Sequence, residues 1–255
     1  MMTPGFGPTR KQKPYFPYPE KDRVIINSHN FTPGFLYPSL RDTLPVAGYY
    51  ARLDTGSAVS DQFTADGSQD GTLTNGATRA DDGGLAYSFD GTNDYIAFPL
   101  QSYVTSDFTL SAWVKTTSNN YQYAIAMEGA ISPSGRWELL RVDIQANRVI
   151  SGYLFNGGSV YIGGTTIASD TWAHVAFTRS GNLFKFFVNG SQTGSGTYTP
   201  TLIAASPSIN DLGARRNSPT TLPLAGKIDD VLIYPIALDA TNIGYLASQR
   251  GAIYA

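Results

Sequence analysis

Cysteine is absent from the 255 residues, which excludes disulfides and thiolate chemistry and leaves the fold to be held by its core. Charge is scarce as well: Asp, Glu, Lys and Arg make up 15% of the chain, and the formal net charge is −2. Without a strong field of either sign, nucleic acid and anionic membrane surfaces are not expected as partners. No apolar run reaches the roughly 18 residues of a membrane helix, so membrane insertion is not expected. The opening MMTPGFGPTRKQKPYFPYPE lacks the apolar stretch of roughly 7 to 15 residues found in secretory leaders, and export by a leader of its own is not expected. Glutamate occurs only at Glu20, Glu128 and Glu138, and histidine only at His29 and His174. Neither imidazole comes with a serine elbow, a phosphate-binding glycine loop or zinc-ligand spacing.

Turn and strand material is abundant, with 26 Gly, 16 Tyr and 13 Phe. In WAHVAFTRSGNLFKFFVNGSQTG, Trp172 to Gly194, β-branched and aromatic runs stop at Ser180-Gly181-Asn182 and at Asn189-Gly190. Asn-Gly supplies the two positive-φ positions of a type I′ turn, so Leu183 to Val188 is expected to fold back on Ser191 to Thr197. From about Val46 onward the same alternation of strand and turn residues predicts strands at Gly48 to Leu53, Ala86 to Phe89, Tyr95 to Phe98 and Phe108 to Lys115. It continues at Tyr121 to Glu128, Trp137 to Val142, Val149 to Phe155 and Ser159 to Thr165, then at Trp172 to Thr178, Ile209 to Leu212 and Lys227 to Tyr234. Ala237 to Ser248 is the one helical candidate, capped by Asp239 or Thr241, with Ile243, Leu246 and Ala247 at helical spacing. The helix is expected to plug one end of the fold.

Residues 1–45 differ in texture. They hold 8 of the 15 prolines and the aromatics Phe6, Tyr15, Phe16, Tyr18, Phe31, Phe35 and Tyr37. Proline lacks a donor and favours extended chain, so this segment cannot build a sheet of its own, while its aromatics offer something to bury against a partner. The expectation is an N-terminal arm, carried by Tyr15, Phe16, Tyr18, Phe31, Phe35 and Tyr37, that anchors the protein to other subunits; a disordered tail is the alternative.

Five segments in order carry a family resemblance: AGYYARLDTGSAVSDQFTADGSQDGTLTNGAT, YSFDGTNDYIAF, FTLSAWVK, WAHVAFTRSGNLFKFFVNG and GKIDDVLIYPIALDATNI. Together they resemble the LamG-like jelly-roll domains of the concanavalin A-like lectin/glucanase superfamily, over roughly residues 46–250. The resemblance implies an all-β, two-sheet antiparallel jelly-roll sandwich over 46–255, following the 1–45 arm. It also implies a binding or assembly module without catalysis, often with a structural calcium ion.

Glycanases of that superfamily need paired carboxylates, commonly delivered on one strand so that alternate side chains share a face. Around RWELLRVD, Glu138 and Asp143 are five positions apart and belong to opposite faces of a strand, so no enzyme is expected. Residues 51–100 hold eight Asp against two Arg, and Ca²⁺ takes hard oxygen ligands of this kind. Asp90, Asn93, Asp94, Asp229 and Asp230 are the candidate ligands, with at least one of the last two facing inward because strand neighbours alternate. The competing reading is that these carboxylates cap turns without a metal.

For a sugar ligand, Asn119, Asn120, Tyr121 and Tyr123, together with Arg215, Arg216 and Asn217, have suitable stacking and hydrogen-bonding chemistry. Trp113, Trp137 and Trp172 are expected in the core, with Trp137, beside Gly135-Arg136, the one best placed to be exposed. Two functions remain. One is a virion component, a phage head decoration or attachment fibre protein, homo-oligomeric or part of a larger assembly, whose arm contacts other subunits and whose domain meets surface glycans. The other is a carbohydrate-binding module of a secreted or cell-surface protein.

Overall fold

A computed structural model describes residues 49–53, 58–61, 71–82, 85–97, 107–130, 137–155, 159–199, 207–215 and 222–250. The expected arm over 1–45, with Tyr15, Phe16, Tyr18, Phe31, Phe35 and Tyr37, lies outside the described residues, as do Arg216 and Asn217. The described chain runs β1 (Tyr49–Leu53), β2 (Ala58–Asp61), β3 (Gly71–Thr74), β4 (Thr78–Asp81), β5 (Leu85–Asp90) and β6 (Tyr95–Ala97). There follow β7 (Phe108–Thr116), β8 (Gln122–Ala130), β9 (Trp137–Ile144), β10 (Val149–Phe155) and β11 (Ser159–Thr166). The last elements are β12 (Ala173–Ser180), β13 (Leu183–Val188), β14 (Ser191–Thr197), β15 (Pro207–Leu212), β16 (Ala225–Tyr234) and a single helix of about two turns, α1 (Ala240–Leu246).

The strands pack as a two-sheet antiparallel jelly-roll sandwich. One layer runs β11-β10-β9-β8-β15-β6-β3, the other β16-β7-β12-β13-β14 with β5 also on β16 and β4 on β5, and the path between them passes through β2 and β1. Period-two alternation supplies the core: Ile125, Val142, Ile150 and Leu154 face Leu110, Val114, Phe177, Phe186, Ile228 and Ile233. Phe177 meets Phe108 edge-on at 6.0 Å and Phe186 at 5.9 Å, a favoured aromatic geometry. Each fully buried ring of this kind contributes roughly 1.5–3 kcal/mol. The layers close at one side where a Cβ on Gly194 of β14 would stand 2.3 Å from the Gly163 nitrogen of β11; only two glycines let these backbones touch.

Asn189 (φ 48°) and Gly190 (φ 79°) form the expected tight turn of the β13–β14 hairpin. The same dipeptide at Asn75-Gly76 does different work. It joins β3, which pairs with β2 and β6, to β4, which pairs with β5, so here the turn carries the chain from one layer to the other. Strands β2, β3 and β4 were not among those expected, because their four-residue runs are Thr-, Ala- and Asp-rich and lack the aromatic texture of the others.

Asp239 caps α1, its Oδ1 accepting the Asn242 N–H at 2.8 Å. The helix does not plug an end of the sandwich. Ile243 and Leu246 instead bury against Ala176, Phe187, Leu232 and Tyr234, which alternate with core residues and so lie on the outer face of the second sheet. A second, smaller core results.

Candidate functional site

Four tyrosines form a continuous strip on the outer face of the first sheet. Tyr153 of β10 stands opposite Tyr161 of β11, which places both side chains on one face, with ring centroids 5.2 Å apart, edge to face. The Tyr161 hydroxyl meets the Tyr121 hydroxyl at 3.0 Å, and Tyr121 packs edge-on against Tyr123 at 5.7 Å. The Tyr153 hydroxyl reaches Ser159 Oγ at 3.1 Å. Tyr123 and Tyr153 are buried, Tyr121 is half-buried, and Tyr161 is 44% exposed. The strip therefore has a buried foundation and one ring offered to solvent. An aromatic face bordered by hydroxyls suits a ligand with both C–H and O–H surfaces.

The loop before β8 borders the strip. Gln122 Nε2 donates to the Asn120 carbonyl at 3.1 Å, and Gln122 Oε1 accepts from the Ala225 N–H at 2.6 Å. Leu222, exposed and held at φ 50°, accepts the Tyr123 N–H at 2.9 Å. Asn119 and Asn120 are exposed here, and Asn119 Oδ1 accepts from Arg148 Nη1. The structure thus brings the expected Asn119, Asn120, Tyr121 and Tyr123 together with three residues that were not expected, Tyr153, Tyr161 and Arg148. The signal was present as two tyrosines at matching positions in neighbouring strands, but pairing register is not readable from one strand alone. Arg215 is half-buried just after β15. Trp137 begins β9, and its side chain lies outside the described residues.

The five candidate metal ligands fall into two groups. Asp90 and Asp94 flank the β5–β6 turn. Asp94 Oδ2 accepts the Asp90 N–H at 2.8 Å, Asp90 Oδ1 accepts the Thr92 N–H at 2.7 Å, and the Asn93 carbonyl accepts from Asn75 Nδ2 at 2.8 Å. Asp94 is 2% exposed, and its Oδ1 is buried with no hydrogen-bond partner; burial pushes its carboxyl above the ordinary range, outweighing the Asp90 N–H. An orphaned carboxylate oxygen fits a cation, and Asp94, Asp90 and Asn93 are the residues that would hold it. Among the described residues no group of three or more His, Cys, Asp or Glu comes together.

Asp229 and Asp230 belong elsewhere. Ala225 is the strand partner of Asp90, which puts Asp229 four residues further along β16, roughly 13 Å away. Both aspartates are buried, contrary to the alternation expected of strand neighbours. A bulge explains it: Asp229 pairs with Trp113 and Leu232 with Ser111, so Asp230 and Val231 share one opposing residue, and Asp230 turns to φ 46°. Asp229 is engaged by Arg250 at 3.2 Å and by the Asp230 N–H at 2.8 Å. Nearby Asp82 accepts from Lys227 at 2.7 Å and Lys115 at 3.1 Å, and these bonds hold its carboxyl down at about 2. These charges serve the scaffold.

His174 is buried on the outer face of the second sheet, sharing a 2.9 Å hydrogen bond with Ser111 Oγ and packed edge-on against Trp113 at 5.3 Å. Trp113 and Trp172 are half-buried around this cluster.

Comparison with known proteins bears on the fold. A family model described as the concanavalin A-like lectin/glucanases superfamily matches residues 90–244. Domain 4 of AbnA, an extracellular arabinanase from Geobacillus stearothermophilus solved with arabinotriose, is 21% identical with a TM-score of 0.61, over 74% of this chain and 92% of that one. Trypanosoma rangeli sialidase, solved with 2,3-difluorosialic acid, is 18% identical with a TM-score of 0.64, over 89% of this chain; the match spans only 37% of the sialidase. The binding domain of botulinum neurotoxin serotype D is 13% identical with a TM-score of 0.58, over 79% of this chain and 51% of that one. No curated protein sequence matches the chain.

Proposed function

This chain belongs to the concanavalin A-like lectin/glucanases superfamily, and from that premise we propose that it is a non-catalytic carbohydrate-binding protein whose tyrosine strip receives the sugar. The observation that carries the reading is Tyr161: 44% exposed, yet held by Tyr121 through its hydroxyl and by Tyr153 through its ring. A ring fixed from behind loses little freedom when a ligand stacks on it. The structural likeness to an arabinanase domain solved with arabinotriose and to a sialidase solved with a sialic acid derivative supports the same reading.

The setting proposed for the module is the surface of a larger assembly, with a virion first and a secreted or cell-surface protein second. Its support is the composition of residues 1–45, rich in proline and aromatics and suited to anchoring on other subunits. A structural calcium ion at Asp94, with Asp90 and Asn93, belongs to the same proposal; bound there, it would neutralise the buried carboxylate.

The test is a glycan array probed with the full chain and with Tyr161→Ala. Binding by the parent and a loss of at least about tenfold in the variant, the scale of one interface aromatic, is the expected outcome. The melting temperature should fall only slightly, since the ring makes these two contacts at the surface and fills no core position. Equal binding by both proteins would remove the strip from the reading.

A further inference from the structure

Beside the tyrosine strip, the turn between β9 and β10 is built against the preference of its sequence. Gln145 N–H bonds the Val149 carbonyl at 2.7 Å and Arg148 N–H the Gln145 carbonyl at 3.1 Å, and both Asn147 and Arg148 sit at φ 59°. Asparagine tolerates that left-handed region and glycine occupies it without strain; an arginine does not. Strain at a non-glycine residue points to a task for the side chain when the surroundings over-determine it. Here they do. The Ile167 N–H bonds the Arg148 carbonyl at 3.0 Å, Arg148 Nε donates back to the Ile167 carbonyl at 3.3 Å, the Asn147 N–H bonds the Asn119 carbonyl at 3.1 Å, and Arg148 Nη1 bonds Asn119 Oδ1.

A guanidinium has five N–H donors. Two are used in holding the head in place, which leaves three, both of those on Nη2 among them, and no carboxylate among the described residues pairs with the charge. The fixed head adjoins Asn119, two residues before Tyr121, whose hydroxyl reaches Tyr161. Val149, next to Arg148, pairs with Thr166, and Tyr161 lies five residues back along β11, a span of roughly 16 Å. One ring cannot bridge it.

Resting on the carbohydrate-binding reading, we infer that Arg148 is the specificity-determining residue of this face and selects an oligosaccharide that carries an acidic group, a carboxylate or a sulfate ester. The sugar rings lie along the tyrosines and the acidic group meets the free N–H donors of Arg148, a charge-assisted contact that a neutral sugar cannot make.

The test uses the full chain, Arg148→Gly, Arg148→Asn and Tyr161→Ala against an array of uronic acid, sulfated and neutral oligosaccharides, with melting temperatures measured alongside. Expected are acidic hits at least about tenfold tighter than neutral ones and weakened by salt, with this preference lost in Arg148→Gly. Whether the uronic or the sulfated set is retained names the acidic group. Arg148→Asn supplies the same reading should the glycine variant not fold. If neutral and acidic sugars bind the parent alike, Arg148→Gly binds as the parent does and Tyr161→Ala still loses binding, this inference falls and the carbohydrate-binding reading stands. If the parent binds no oligosaccharide, both fall.

Discussion

Arg250 Nη2 lies 3.2 Å from Asp229 Oδ2, tying the end of the described chain to the bulged strand β16. The arginine also covers Trp172, with its guanidinium carbon 3.8 Å from the ring centroid, and donates to the Asp82 carbonyl at 2.7 Å. Asp229 is buried, and burial raises its carboxyl even against the opposing charge of Arg250. Arg250→Ala is expected to destabilise the fold by about 3 kcal/mol, because it leaves an uncompensated buried carboxylate. Without the arginine the Asp229 carboxyl rises further, and a raised carboxyl adds stability once protonated. The deficit of the variant should therefore shrink as pH falls through the carboxylate range, which denaturant unfolding at several pH values will read; a deficit that does not change with pH would mean that the lost contact is packing on Trp172 alone.

Burial holds His174 down to about 3, against an ordinary value of 6.5. Between those two values the unfolded chain binds a proton that the folded one refuses. Stability should thus be unaffected above pH 6.5 and fall below it by about 1.4 kcal/mol per pH unit. His174→Gln retains a partner for Ser111 and removes this slope. Comparing the pH dependence of unfolding for the two proteins isolates the imidazole, and parallel curves would contradict the burial argument.

Asp94 needs something positive beside its orphaned Oδ1. If calcium supplies it, the melting temperature rises in calcium and falls in chelator, and Asp94→Asn abolishes that response. A protein indifferent to calcium, with Asp94→Asn as stable as the parent or more so, would mean that a proton takes the place of the ion.

Residues 1–45 are expected to drive association. Light scattering of the full chain beside residues 46–255 should give a defined oligomer for the first and a folded monomer for the second, since the buried residues of both hydrophobic cores, among the described residues, fall within 77–246. Two monomers would make the segment a tail and favour a module of a secreted or cell-surface protein.

Much of the scaffold was legible in the sequence because its signals are local. Strands β10 and β13 begin and end where their aromatic and β-branched runs do, and Asp239 caps α1 through a bond spanning three residues. The site was legible only in part. Asn119, Asn120, Tyr121 and Tyr123 lie within five consecutive residues and could be read together. Tyr153, Tyr161 and Arg148 join them through the register of β9, β10 and β11, which is a property of pairs of strands.

The aspartates make the same division. That Asp90 and Asp94 share a turn follows from their spacing, whereas the separation of Asp229 and Asp230 from them, and the burial of both, follow from one bulge and from Arg250 returning across the sheet. By itself the sequence determined the class of fold, through alternation, Asn-Gly turns and an aromatic core, because each is a short-range preference summed over many strands. Which tyrosine is left exposed, which carboxylate is left unpaired and which arginine is left with spare donors were decided only by the tertiary structure, since each depends on residues far apart in the chain competing for the same few hydrogen bonds and the same face of a sheet.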